Sequence, residues 1–562
     1  MDYQRENLKW SGWGRREHSF DLDAGEPSLR DFLLDNLGLR ALRETPAPPI
    51  ESLPLPESRL SSGLRASLTA IVGASWLRTD RYERVFHAIG RSYWDLLRLR
   101  SGELDHAPDG VVYPASVAEL EALVRLGADA GLALVPFGGG SSVVGGVEAC
   151  AGPGHAAVLT VDLSRLDRLL SVDPVSRLAT AQAGIYGPAL ESGLQAQGFT
   201  LGHFPQSFEF STLGGWVATR STGQQSCRYG SAADMLQGAK LVTPSGTLEV
   251  SAHPGSATGP DLRQVVAGSE GILGFIAEAT VRLRPKPAAR DYRGFLFPDF
   301  ASGAEAIRLL LQDDVDVAML RLSDPGETHL LGQLAALGRP ERWLQRTTRG
   351  ALGLFGGRRP CLLLVGLEGS SSAVSSGRVS VARAVIGSGG LPVGAQPGRG
   401  WYRSRFRMPY VRDALLDHGI GVGAIETATV WSNVTALYRV LRDELTVAIR
   451  RVTDRGEGEP MVMAHISHAY PAGANLYFTF VFPIARRGAR AQWRLIRRVA
   501  VETILSHGGT LSHHHGIGHI SRDWLPAERG AIGVSLLRAI RHSVDPRGIM
   551  NPGKLLPTTE SN

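Results

Sequence analysis

The chain has 562 residues, 43% of them apolar and 20% charged, which suits packed cores and rules out a disordered, collagen-like or disulfide-stapled protein. Sixty basic against fifty-four acidic residues leave a net charge of +6, and no basic run is interleaved with aromatics, which argues against nucleic-acid binding as the main function. No stretch approaches the ~18 uncharged apolar residues of a membrane span. Residues 1–6 lack a signal-peptide pattern. Three scattered cysteines, Cys150, Cys227 and Cys361, form no CxxC pair and point to a reducing compartment. Two biases remain: only Lys9, Lys240, Lys286 and Lys554 among the sixty basic residues are lysine, and there are 67 glycines, well above the usual ~7%.

In chain order, residues 1–100 are polar and proline-punctuated to Leu60, then helix-like. From 101 short strands and helices alternate. Val111–Tyr113 reads as a strand, and Ser116 with Glu119 predicts a capping box opening a helix that Gly131 ends. Leu132–Val135 is the next strand. It runs into Pro136, Phe137, Gly138, Gly139, Gly140, Ser141 and Ser142, with Gly145 and Gly146 just beyond. Consecutive small residues after a strand expose backbone N–H groups to an anion. The run is neither GxGxxG opening a helix nor GxxxxGK[ST], so Rossmann and P-loop sites lose support. Pro205–Gly223 is a second hydroxyl-rich, small-residue stretch, and Gly268–Ile276 a third, leading into a strand predicted over Ala279–Arg284. Three such loops suit one long phosphate-bearing ligand, with a dinucleotide the natural candidate.

Beyond Pro285–Pro287 a different domain of about 220 residues follows. Within it, 342–359 carries five arginines, no acid and several apolar residues. It reads as an exposed loop or as a peripheral membrane contact. Gln492–His507 predicts a helix stopped by Gly508 and Gly509. Then come Ser512, His513, His514, His515, Gly516, Ile517, Gly518 and His519. An extended 510–515 would put His513 and His515 on one face and His514 on the other. The cluster is open to three readings: general acid/base work, a structural role, or metal binding. The last is weakened because no carboxylate lies between Glu502 and Asp523.

These motifs together resemble one family. The opening Leu8-Lys9-Trp10-Ser11-Gly12-Trp13-Gly14 matches, as do PFGGGSS from 136, FEFSTLGGWVATR from 208, VTPSG from 242, GSEGILG from 268, YVRD from 410, LYFTF from 476 and SHHHGIG from 512. The chain resembles the alkyldihydroxyacetonephosphate (alkylglycerone-phosphate) synthases, ether-lipid enzymes with the vanillyl-alcohol-oxidase (PCMH-type) FAD-binding fold. The implied fold is α+β, a two-lobed FAD-binding domain plus a substrate cap domain with a helical N-terminal arm. The expected units are the arm at 1–100, the FAD domain at 101–287, the cap at 288–505, and a segment at 506–562 returning the histidines to the flavin.

The resemblance implies FAD contacts from Pro136–Ser142, from Gln206, Ser207, Phe208, Glu209, Phe210, Ser211 and Thr212, from Thr219, Arg220, Ser221 and Thr222, and from Glu270, Gly271, Ile272, Leu273, Gly274, Phe275 and Ile276. Ser141 and Ser142 stand where flavin-linking relatives place a histidine, so non-covalent FAD is expected. The implied reaction exchanges the acyl group of acyl-dihydroxyacetone phosphate for a long-chain alcohol, redox-neutral through flavin N5. On this analogy His513, His514 and His515 supply the base, Tyr477 and Arg321 are catalytic, Arg412 binds substrate, and no metal is used. A tail at Asp545–Leu555 that looks like FAD-linked 2-hydroxyacid dehydrogenases keeps a dehydrogenase or oxidase as the alternative. A non-catalytic flavin- or lipid-binding protein is the third reading. A cytoplasmic protein is expected, peripheral on the membrane through 342–359 and a candidate homodimer, with no secretion or peroxisomal signal evident.

Overall fold

The computed structural model describes residues 7–24, 28–152, 154–336, 354–357, 359–453 and 458–558. Most of 342–359, and with it the membrane contact expected there, lies outside the described residues. Among the described residues no helix is long and apolar enough to cross a membrane.

The first lobe is two sheets. One holds β1 (Leu77–Arg78), β2 (Gly110–Val112), β3 (Leu132–Phe137) and β4 (Ala157–Asp162) in the order β1-β2-β4-β3, with β4 parallel to both β2 and β3. The crossover from β2 to β3 is the helix Val117–Ala130. Ser116 caps it by accepting from the Glu119 amide, and Gly131 ends it in the left-handed region, at φ 64°. The Glu119 carboxylate reaches the Ala115 amide at 2.8 Å, one residue beyond the predicted capping-box donor. Leu120, Leu123 and Val124 of the helix pack with Leu132, Leu134 and Leu159 of the strands.

The second sheet contains β5 (Leu169–Asp173), β6 (Leu178–Gln182), β8 (Leu236–Thr243), β9 (Gly246–Val250) and β10 (Phe275–Arg282), in the order β5-β6-β10-β8-β9. The strand predicted over 279–284 thus begins four residues earlier. Arg284 and Pro285 belong to a separate ribbon, β11 (Arg284–Pro285), paired with β7 (Phe199–Thr200).

The second lobe is one eight-stranded sheet: β12 (Ala289–Phe297), β13 (Met319–Ser323), β14 (Cys361–Gly369), β15 (Leu391–Gly394), β16 (Ile420–Val430), β17 (Met461–Ile466), β18 (Ala469–Tyr470) and β19 (Gly473–Pro483). Its order is β15-β12-β14-β13-β17-β19-β16, with β18 on β19. Register sets one row across this sheet: Tyr477 lies opposite both His465 and Glu426.

The N-terminal arm contains a helix that the polar composition before Leu60 hid. Leu29–Leu37 is opened by a Ser28–Asp31 capping box. Its Leu29, Phe32, Leu33 and Leu37 pack with Val411, Leu415, Ile420, Met463 and Val481 of the second lobe. The C-terminal segment crosses the other way: the Leu134 amide donates to the Ile549 carbonyl and the Asn551 amide to the Leu134 carbonyl, extending the first sheet beside β3.

Candidate active site

The two lobes enclose a cavity of about 900 Å³ with two unlike walls. The first-lobe wall is backbone. Gly138–Ser142 leave β3 and line the cavity, with Thr212, Gly215, Thr219, Ser221 and Thr222 beside them. A side chain cannot be added here: a Cβ on Gly138 would lie 2.3 Å from Thr212 Oγ1, and one on Gly139 1.9 Å from the Phe210 carbonyl oxygen. Among the described residues the amides of Gly139, Gly140 and Ser141 have no hydrogen-bond acceptor within the protein. Free donors in a cleft that only glycine fits suit a pyrophosphate. The loop is braced from the far end of the sequence. Glu270, itself left-handed at φ 47°, accepts from the amides of Ile517 and Gly518 at 2.9 and 2.7 Å, and burial pushes its carboxyl up to about 7. Asn551 Nδ2 donates to the carbonyls of Gly146 and Glu270.

Pro136, Phe137, Glu270, Gly271, Gly274 and Ile276 line a smaller recess of about 100 Å³ behind the loop, while Gln206, Ser207 and Ser211 face the main cavity. Phe208, Ile272, Leu273 and Phe275 are buried in the cores. Glu209, Phe210 and Arg220 line neither space. The Phe210 ring meets Trp13 edge-on at 5.6 Å, and Arg220 is bonded to Gln264. These residues frame the ligand segments rather than contact the cavity.

The second-lobe wall is ionisable side chains. Tyr477 on β19 stacks on His465 of β17, centroids 4.9 Å apart, and meets the His515 ring edge-on at 5.8 Å. Burial pushes its phenol up to about 12. The histidine run is not the extended strand of the sequence expectation. Glu426, buried on β16, accepts from the amides of His513, His514 and His515 and from Ser512 Oγ, so the backbone wraps one carboxylate and the faces do not alternate. His514 and His515 both line the cavity. His513 turns away, its Nε2 bonded to the Tyr470 hydroxyl at 2.6 Å and its Nδ1 2.9 Å from His514 Nδ1. Burial pushes His513 down to about 4 and His515 to about 3, so both are neutral near pH 7. Glu426 overcomes its own burial through His514 and stays well below the usual carboxylate range.

The carboxylate missing near the histidines in sequence is therefore supplied by Glu426. Ligand-type atoms of Glu426, His513 and His514 lie within 4.8 Å of one another, as do those of His106, Glu148 and Cys150 elsewhere. Both carboxylates are already committed: Glu426 to backbone amides, Glu148 to a bidentate Arg98 at 3.0 and 2.9 Å.

The arginines divide. Arg321 reaches the cavity already paired, its Nη2 2.8 Å from Glu327 Oε1 and 3.2 Å from His465 Nδ1. Arg412, on the helix Met408–Leu416, donates to the Arg91 carbonyl at 2.6 Å and its Nη2 lies 4.0 Å from the Asp413 carboxylate, while among the described residues its Nε has no hydrogen-bond partner. Arg91, buried beside it, is pushed down to about 10 by desolvation.

Sequence reasoning missed Glu426, His465, His468, Arg91 and Arg497, all of which line the cavity. An acid inside the apolar strand IGVGAIETATV and the pair His465/His468 just before LYFTF were the available signals.

Residues 108–251 match the FAD binding domain family and 286–555 the C-terminal domain family of FAD linked oxidases. An alkyldihydroxyacetonephosphate synthase of Dictyostelium discoideum is 34% identical over 585 residues, covering 98% of this chain and 94% of that protein. The chain belongs to the alkyldihydroxyacetonephosphate synthase family. A solved structure of an alkyldihydroxyacetonephosphate synthase superposes with a TM-score of 0.84 at 32% identity, covering 98% of both chains. p-Cresol methylhydroxylase, 16% identical with a TM-score of 0.65 over 90% of this chain and 99% of that one, shares the fold alone. The fold is thus the expected α+β, PCMH-type arrangement of FAD lobe and cap.

Proposed function

We propose that this protein exchanges the acyl group of acyl-dihydroxyacetone phosphate for a long-chain alcohol, forming an ether bond with FAD held non-covalently. The observation that carries the proposal is the continuity of the ionisable wall with an apolar arm. Beside Tyr477 and His515 the cavity runs on past Leu330, Leu331, Leu334, Leu362, Leu364 and Met463. A small hydroxy acid has no use for that arm, whereas a fatty chain does.

The Gly138–Ser142 amides and the hydroxyls of Thr212, Ser221 and Thr222 would hold the dinucleotide. FAD, when bound, supplies an electron-poor ring able to take up and release a carbon-bonded electron pair. His515, with Nδ1 3.8 Å from Glu426 Oε1, keeps Nε2 for a proton from the substrate's C1. Burial holds that imidazole neutral and able to accept, and an entering phosphate raises its proton affinity. Tyr477, held protonated, donates toward the leaving carboxylate. Arg412 and Arg91 present positive charge to a substrate anion. The apolar arm excludes water, which would otherwise compete with the alcohol.

Incubating the flavoprotein anaerobically with acyl-dihydroxyacetone phosphate and labelled hexadecanol tests this. Labelled ether with no net flavin bleaching is the expected result; bleaching by a 2-hydroxy acid with no ether product overturns it. We also propose peripheral membrane contact through 342–359, since both substrates are lipids. Co-sedimentation with anionic vesicles, lost when those arginines become serine, is the expected result.

A further inference from the structure

Most charged side chains at the cavity have a counterpart in the protein. Glu327 neutralises Arg321, and Arg405 lies over the Tyr402 ring at 3.9 Å. Arg497 does not fit this pattern. It projects from the helix Ala489–Ser506 one turn beyond Trp493 and lines the cavity with Trp493 and Ile520. Its Nη2 donates to Ser521 Oγ at 2.5 Å, which fixes the plane of the guanidinium. Its Nε is buried with no acceptor, and no carboxylate lies within 4.0 Å of it among the described residues.

The acid that acts on it from a distance is Glu426, already filled by Ser512 and three amides. Burial pushes the guanidinium down to about 10, so it remains charged at neutral pH. A cation drawn partly out of water with no protein carboxylate beside it is costly to keep unless a ligand anion completes it. Its position supports this. The charges of Arg412 and Arg321 act on Tyr477, whereas that of Arg497 acts on His515. Arg412, with Asp413 beside it, thus serves the tyrosine of the pair, and Arg497, with no carboxylate of its own, serves the histidine.

We propose that Arg497 forms a second anion subsite, receiving an oxyanion of the substrate or product on the His515 side of the cavity. The inference rests on the proposed reaction, which brings two such groups, a phosphate and the carboxylate released with the acyl chain. Arg321, the arginine that the sequence resemblance offered beside Arg412, cannot serve equally well, because Glu327 already neutralises it.

The test uses holoenzyme and two probes, inorganic phosphate and hexadecanoate, each titrated through the flavin absorbance change. Arg497→Met should weaken one probe at least tenfold, and Arg497→Lys should restore part of the loss. FAD affinity and the affinity of the flavin for sulfite should change less than threefold. Loss of phosphate binding assigns the subsite to the headgroup, and loss of hexadecanoate binding assigns it to the leaving acid. Unchanged affinity for both probes overturns the proposal. So does a fall confined to FAD or sulfite affinity, which would make Arg497 a charge held for the flavin ring. If Arg497→Met does not fold, Ser521→Ala frees the guanidinium and should weaken the same probe about threefold; no change there overturns the proposal too. Because these are binding measurements, ether synthesis failing in the wild type with Arg497-dependent binding intact would sink the proposed reaction alone.

Discussion

The two walls of the cavity are built on opposite principles. The first-lobe wall recognises its ligand with main chain, so its requirements are the absence of side chains and a set of free amides. The second-lobe wall works with imidazole, phenol, guanidinium and carboxylate, drawn from β13, β16, β17 and β19, from helices and from a C-terminal loop. A backbone wall binds; a side-chain wall can move protons. Variants of the two should therefore separate binding from chemistry.

The largest separation is expected on the side-chain wall. Tyr477→Phe and His515→Ala should each lower kcat about 10²–10⁴-fold while FAD affinity, read by flavin fluorescence, stays within threefold of wild type. A parallel loss of FAD would break the distinction. Next, Glu426→Ala leaves three amides and the histidine loop without their anion. Breaking so buried a charge centre should cost about 3–5 kcal/mol, visible as a fall in Tm. Gly139→Ala should act conversely. Its Cβ has nowhere to go against the Phe210 carbonyl, so the loop must shift at a cost of about 1–3 kcal/mol, and flavin should be lost before catalytic competence can be measured.

The smallest effect is a pH slope. His203, His468, His513 and His515 all have their affinity for protons lowered by burial. At these four rings an unfolded chain therefore binds more protons than the native one below about pH 6.5, an excess that the raised Glu270 carboxyl offsets only in part. The stability these neutral rings contribute is present above pH 6.5 and is lost as pH falls toward their folded values, by up to ~1.4 kcal/mol per unit for each ring. Urea midpoints at pH 7.5, 6.0 and 5.0 should fall in that order, and His515→Asn should flatten the decline.

The same contrast explains what was legible in the sequence. Gly138–Ser142 announces itself because a backbone site needs contiguous small residues and local free amides. The helix Val117–Ala130 was equally clear, since its caps are local. Tyr477 and the histidine run were reached through the family resemblance, but their arrangement was not. Residue alternation assumed a strand, whereas Glu426, 87 positions upstream of His513, gathers the amides into a turn. Arg321 and Arg497 differ only in their partners, and Glu327 or its absence belongs to tertiary packing. The helix Leu29–Leu37 was masked because its apolar face meets the second lobe rather than a local neighbour.

The strand β3 that carries the glycine run hydrogen-bonds through Leu134 to Ile549 and Asn551, and Asn551 in turn holds the carbonyls of Gly146 and Glu270. During synthesis, the loop meant for the cofactor emerges from the ribosome some four hundred residues before the segment that braces it. Flavin capture is thereby deferred until the chain has been made as far as residue 551, and nascent chains stalled before residue 549 should emerge colourless.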